Sequence, residues 1–87
     1  MRVLNLISSK GNKVPNQFEV ISDKGRFFQS YKSMIVFIPN DGSPVQLGSD
    51  WDYSRTTSKY RNQFLGESTK EIESKLNKGI YILNNNL

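Results

Sequence analysis

The sequence predicts a single α+β domain spanning 1–87. An antiparallel sheet of four to five strands is expected to carry one helix over about 53–65 and a second, short helix over about 69–78, with a C-terminal edge strand. Three observations lead there. A chain of 87 residues has room for one hydrophobic core and not for two. Its first half alternates short apolar runs with clusters of Gly, Pro, Asn and Asp. After Gly48 the apolar spacing lengthens to the helical period, before a last apolar run at Ile80–Leu83.

The first strand is RVLNLI, Arg2–Ile7, and the Ser, Gly, Asn and Pro of SSKGNKVPN form the loop behind it. FEVIS (Phe18–Ser22) and RFFQSY (Arg26–Tyr31) make a hairpin across Asp23-Lys24-Gly25, where glycine supplies a positive φ. Ser33–Ile38 is apolar after its first residue. That pattern predicts a central strand covered on both faces, or on one face with a dimer partner on the other. Pro39–Ser43 is a turn and Val45–Leu47 a short returning strand. In the first helix Tyr53, Thr56, Thr57, Tyr60 and Phe64 share one face. Arg55, Ser58, Lys59 and Asn62 lie opposite, and Arg61 flanks the stripe. Asp52 or Ser54 caps its start and Gly66 its end. Ser68-Thr69-Lys70-Glu71 has the form of a capping box, Ile72 and Leu76 are an apolar i,i+4 pair, and Gly79 stops the second helix. The tail Asn84–Asn86 is polar and expected to fray.

Composition excludes several chemistries. With no cysteine, the chain has neither disulfides nor thiolate metal ligands, which fits a reducing compartment. With no histidine, it lacks the commonest general base and the commonest zinc ligand. The short apolar run near Met1 is too brief for a signal-peptide core or a membrane span, so a cytoplasmic protein that avoids the membrane is expected. Net charge is +4, unevenly spread. Residues 1–32 carry +4, residues 33–53 carry −3, and residues 54–87 carry +3. Basic ends around an acidic middle permit a polyanionic partner.

No catalytic constellation stands out. Asp50 and Asp52 are spaced to share one face of a strand and hold Mg²⁺, but aspartates ahead of a helix are more often caps. Gly25, Gly42 and Gly48 are isolated turn glycines, and GESTK lacks the upstream glycine of a phosphate loop. The expectation is a non-enzyme with no catalytic residue, no cofactor and no metal site. Attention falls on WDYSRTTSKYRNQFLG, Trp51–Gly66, where aromatic rings alternate with cations and hydroxyls. Two readings compete. Rings interleaved with basic groups suit phosphate contact and base stacking, with Trp51, Arg55, Lys59, Arg61 and Asn62 as contacts. Alternatively, Tyr53, Tyr60 and Phe64 fill a small core while the cations are solvated surface.

This segment, WDYSRTTSKYRNQFLGE, with TKEIESKLNKGIYIL after it, resembles a family of small uncharacterised proteins of bacteriophages and mobile elements. Members carry W-D-Y-S-x-T-T-x-K-Y-R-N-x-F-L-G-E, then a charged helix and a G-x-Y-x-L ending, with a looser likeness upstream at FQSYKSMIVFI. The resemblance implies a phage-type origin, in the cytoplasm of an infected or lysogenic bacterial host, and that the motif positions define the fold or its site. The leading expectation is a phage-type accessory protein that binds nucleic acid or a host nucleoprotein complex without catalysis. The alternatives are an anti-CRISPR-like, protein-directed inhibitor of a bacterial defence or replication complex, and a structural homodimer joined through Met34–Ile38.

Overall fold

The computed structural model describes all 87 residues. Six strands form one sheet in sequence order: β1 (Arg2–Ile7), β2 (Lys13–Ile21), β3 (Gly25–Ser30), β4 (Ser33–Pro39), β5 (Gln46–Leu47) and β6 (Ile82–Leu83). The first four interfaces are antiparallel, and β5 pairs with β6 in parallel. A parallel pair needs a long crossover. Here α1 (Arg55–Leu65) and α2 (Thr69–Asn77) supply it. The fold class is α+β as expected, but the sheet has six strands and is mixed rather than four to five antiparallel ones.

Register pairing assigns each side chain to a face. The row Leu4–Glu19–Phe28–Val36–Leu47–Leu83 faces the helices, because Phe28 stacks on Phe64 of α1 with ring centroids 5.7 Å apart. Phe28, Val36 and Leu47 at its centre are wholly buried. Ile72 of α2, Tyr60 of α1 and Tyr81 complete the core. β4 does not alternate simply. A register shift opposite Phe28–Gln29 makes Ile35 an extra residue, so that Ile35 and Val36 are both buried while Met34 pairs with Gln29 on the far face. The continuous apolar run of β4 thus comes from a bulge together with alternation.

Local chemistry sets most element ends. Ser54 caps α1 by accepting the Thr57 N–H, which moves the start to Arg55 and leaves Tyr53 outside the helix instead of on its inner stripe. Gly66 closes α1 at φ +70. Ser68 and Glu71 form the reciprocal capping box of α2. Gly25 serves closeness more than turn geometry. A methyl group there would sit 2.2 Å from the Ile38 carbonyl oxygen on β4.

Two expected loops are ordered differently. β2 reaches back to Lys13 because the Asn5 amide donates to the Val14 carbonyl at 3.0 Å, holding a bulge in which Asn16 takes φ +64. The asparagine tail is tied down, since Asn84 Nδ2 donates to Gln46 Oε1 at 2.8 Å and Asn86 N donates to Asn84 Oδ1. The last strand is also shorter than Ile80–Leu83. Tyr81 turns into the helical layer, where its hydroxyl donates to Glu67, which also accepts from Lys75.

That trio gives the fold a defined alkaline limit. Burial, and then the Glu67 carboxylate, push the Tyr81 phenol above its ordinary pKa, and the bond to Glu67 raises Lys75. Groups with raised folded pKa values contribute fully below their unfolded pKa of about 10, and the contribution disappears as pH climbs through the folded value. Melting temperature should therefore fall from about pH 10 upward. Tyr81→Phe should shallow that decline, as followed by circular dichroism.

Candidate functional site

The motif Trp51–Gly66 is organised around a buried cation. Arg61 is 0% exposed. A guanidinium offers five N–H donors in a fixed fork, and all of them are used. Nη1 donates to the Trp51 carbonyl at 2.6 Å and to Asp52 Oδ1 at 3.3 Å. Nη2 donates to Asn62 Oδ1 at 2.9 Å and Thr69 Oγ1 at 2.8 Å, and Nε donates to Asn62 Oδ1 at 3.1 Å. Its carbon lies 5.1 Å from the centre of the Trp51 ring, within cation–π range. Asn62 also donates to Thr69. One side chain therefore joins the loop before α1, α1 itself and the first turn of α2.

The five predicted contact residues separate accordingly. Arg61, Asn62 and Trp51 belong to this internal latch, with Trp51 packed against the core. Arg61, expected to flank the stripe and to contact a partner, is instead wholly buried, with its hydrogen-bond acceptors all within the fold. Arg55 and Lys59 remain exposed, one helical turn apart, and neither is in an ion pair. The two aspartates also diverge. Asp50 accepts from Ser33, while Asp52 accepts from Ser58 and Arg61. No three acidic side chains gather as they would around a metal ion.

Beside the start of α1 the structure brings together residues that are distant in sequence. A cleft of about 730 Å³ opens between the β3–β4 turn, the bulge of β2 and the first turn of α1. Its floor holds Ser30 and Thr57, whose hydroxyls meet at 2.9 Å, and Ser54 bonds to Thr57 in turn. Tyr31, Lys32 and Tyr53 stand at its mouth, with Tyr31 55% and Tyr53 78% exposed. Asp50 lines it as well. The first N–H groups of a helix lack intrahelical acceptors, and no acidic residue occupies the first turn of α1.

Stability is given up around this cleft. Asn16 and Tyr31, which both line it, are the only non-glycine residues with positive φ, and the Tyr31 N–H donates to the Asn16 carbonyl at 2.7 Å. Tyr31 at φ +55 opens a two-residue hairpin loop at the position usually given to glycine. Next to Asn16, Gln17 is 0% exposed with neither amide atom hydrogen-bonded to protein, and it lies directly opposite Ser30 on the helix-facing side. An unsatisfied buried amide costs about 1–3 kcal/mol. Strain and unpaired polar groups tend to collect at functional sites.

Sequence reasoning missed Asn16, Tyr31 and Lys32. The available signal was the tyrosine and lysine of SYKS between two strand-like runs, a turn without the glycine that such a loop prefers.

The latch makes a direct prediction. Arg61→Met keeps much of the stem but leaves the Trp51 carbonyl, Asn62 and Thr69 without their donor, and should cost about 1–3 kcal/mol in urea denaturation. Arg61→Lys cannot fill five positions from one ammonium and should recover only part of the loss.

No curated protein and no solved structure matches the chain. No helix is long and apolar enough to cross a membrane. The sequence model of DUF8033, a family of unknown function, matches residues 1–79, which include β1 to β5, both helices, the Arg61 latch and every residue lining the cleft; the chain belongs to that family.

Proposed function

We propose that the protein is a non-catalytic binder of single-stranded nucleic acid, held at the cleft beside α1 and along the outer side of that helix. One observation carries the reading. Two exposed tyrosines and Lys32 share the mouth of a hydroxyl-lined cleft at the positive end of α1, and Arg55 and Lys59 continue from it on the exposed side.

The chemistry fits each part of such a ligand. Tyrosine rings stack on nucleobases of any sequence, and bases are free to stack only where the strand is unpaired. Helix N-terminal N–H groups, serine and threonine hydroxyls and Lys32 suit phosphate oxygens. Asp50 supplies an acceptor for a base amino group or a sugar hydroxyl. Arg55 and Lys59 add charge without base preference. Trp51, Arg61 and Asn62 act behind this surface by holding α1 in place. In a phage-type setting the strand would belong to a host or viral nucleoprotein complex.

Fluorescence anisotropy on labelled oligonucleotides tests this reading. Single strands should bind more tightly than duplexes of the same sequence. With three phosphate-contacting cations, affinity should fall about 20-fold between 50 and 200 mM salt. Arg55→Ala with Lys59→Ala should flatten that salt dependence. Tyr53→Ala should weaken binding by about 1–3 kcal/mol at every salt concentration, with little change in stability because the ring is exposed. Tyr31→Gly relieves the positive φ, so it should hold or raise the melting temperature while lowering affinity. No detectable binding to any oligonucleotide at low salt would remove the proposal.

A further inference from the structure

Both helices pack on one side of the sheet, and the other side is left bare. Following the register, Val3, Val20, Phe27, Phe37, Gln46 and Ile82 form a single row across all six strands on that side. A second row beside it is Asn5, Phe18, Gln29 and Met34. Phe27 and Phe37 stack at 4.4 Å. Val20 is only 5% exposed, yet it is the one buried hydrophobic residue outside the main core cluster. Its neighbours Phe18, Phe27, Met34 and Phe37 do not pack on that cluster either. The bare side therefore holds an apolar cluster of its own, with Val3 61% and Ile82 41% exposed at its two ends.

Charge is what makes this surface unusual. Twenty of the 87 residues are Lys, Arg, Asp or Glu, and neither row contains one. Charges appear only at its borders: Lys13 pairs with Ile7 at one corner, and Asp23, Lys24 and Asp41 gather beside Phe37 and Gln46 at another. The molecule as a whole carries a net charge of +4. Like copies therefore repel at long range, and neither row of this face adds a like charge to that repulsion. Its amides are also self-complementary. Asn5 and Gln29 use their NH₂ groups internally, and Gln46 uses its oxygen, so the face presents spare acceptors and a spare donor together.

We propose that the open face of the sheet is a homodimer interface, two copies packing sheet against sheet. Ten side-chain positions, on strands about 4.8 Å apart and repeating about every 6.8 Å along them, give a patch of about 330 Å². Two such patches bury about 650 Å², below the size of a stable interface, so the dimer is a weak and transient one. Its geometry follows from sheet packing. The sheets lie about 10 Å apart, and both helical layers face outward. Each protomer keeps its cleft and its Arg55–Lys59 surface free, on opposite sides of the assembly. The interface differs from the simple Met34–Ile38 contact expected from the sequence: Met34 and Phe37 meet the partner, while Ile35 and Val36 stay in the protomer core.

Sedimentation velocity across roughly 5–500 μM, where a weak and transient dimer is sought, tests the inference independently of nucleic acid. The wild-type chain should shift from monomer to dimer, and V3E/I82E should remain monomeric throughout while keeping a cooperative thermal transition. Should that variant lose its transition, Met34→Lys in the second row gives the same readout. A wild-type chain that stays monomeric at the top of the range overturns the proposal, as does a folded V3E/I82E or Met34→Lys chain that dimerises like wild type.

Discussion

The helical half of this protein depends on a positive charge being held where water does not reach. Burying a guanidinium is costly unless every donor is matched. Arg61 meets that condition with acceptors drawn from three separate segments: the Trp51 carbonyl and Asp52 before α1, Asn62 within it, and Thr69 at the start of α2. No subset of these satisfies the fork. The loop, α1 and α2 are therefore fixed relative to one another by a single side chain, in a domain with only ten buried hydrophobic residues to do the same work. Lysine could not replace it, because an ammonium lacks the planar five-donor geometry.

This accounts for the mixed character of the Trp51–Gly66 segment. Tryptophan covers the flat face of the guanidinium, asparagine and threonine fill its fork, and Ser54 and Thr57 secure the first turn of α1 to Ser30 on β3. The aromatic and polar residues are mostly architecture. They place Tyr53, Arg55 and Lys59 outside, next to a hairpin that presents Tyr31 and Lys32 from the opposite wall of the cleft. The strained backbone at Asn16 and Tyr31 lines that cleft, and the unpaired buried amide of Gln17 follows Asn16 directly in β2.

The sheet divides the protein's apolar material between two unequal sites. One face, under the helices, holds the main core around Phe28, Val36 and Leu47. The other collects three phenylalanines with no helix over them. The division originates in β4. Its bulge sends Ile35 and Val36 inward together and leaves Met34 and Phe37 for the far side, an arrangement that a two-residue period cannot describe.

Local rules made much of this legible from sequence. Caps and breakers act through neighbours a few residues away, which is why Ser54, Gly66, the Ser68–Glu71 box and the strands RVLNLI, FEVIS and SMIVFI could be read directly. The sequence by itself determined the α+β class, the two helices and the residue types at the site. Tertiary structure decided which way Arg61 points, that Tyr53 stands in solvent, that β6 runs parallel to β5, and that Asn16, Tyr31 and Lys32 meet the start of α1. Each of those outcomes rests on hydrogen bonds or pairing between segments far apart in the chain. A side chain with several competing environments takes the one that satisfies the most of its donors, and that sum exists only once the segments have met.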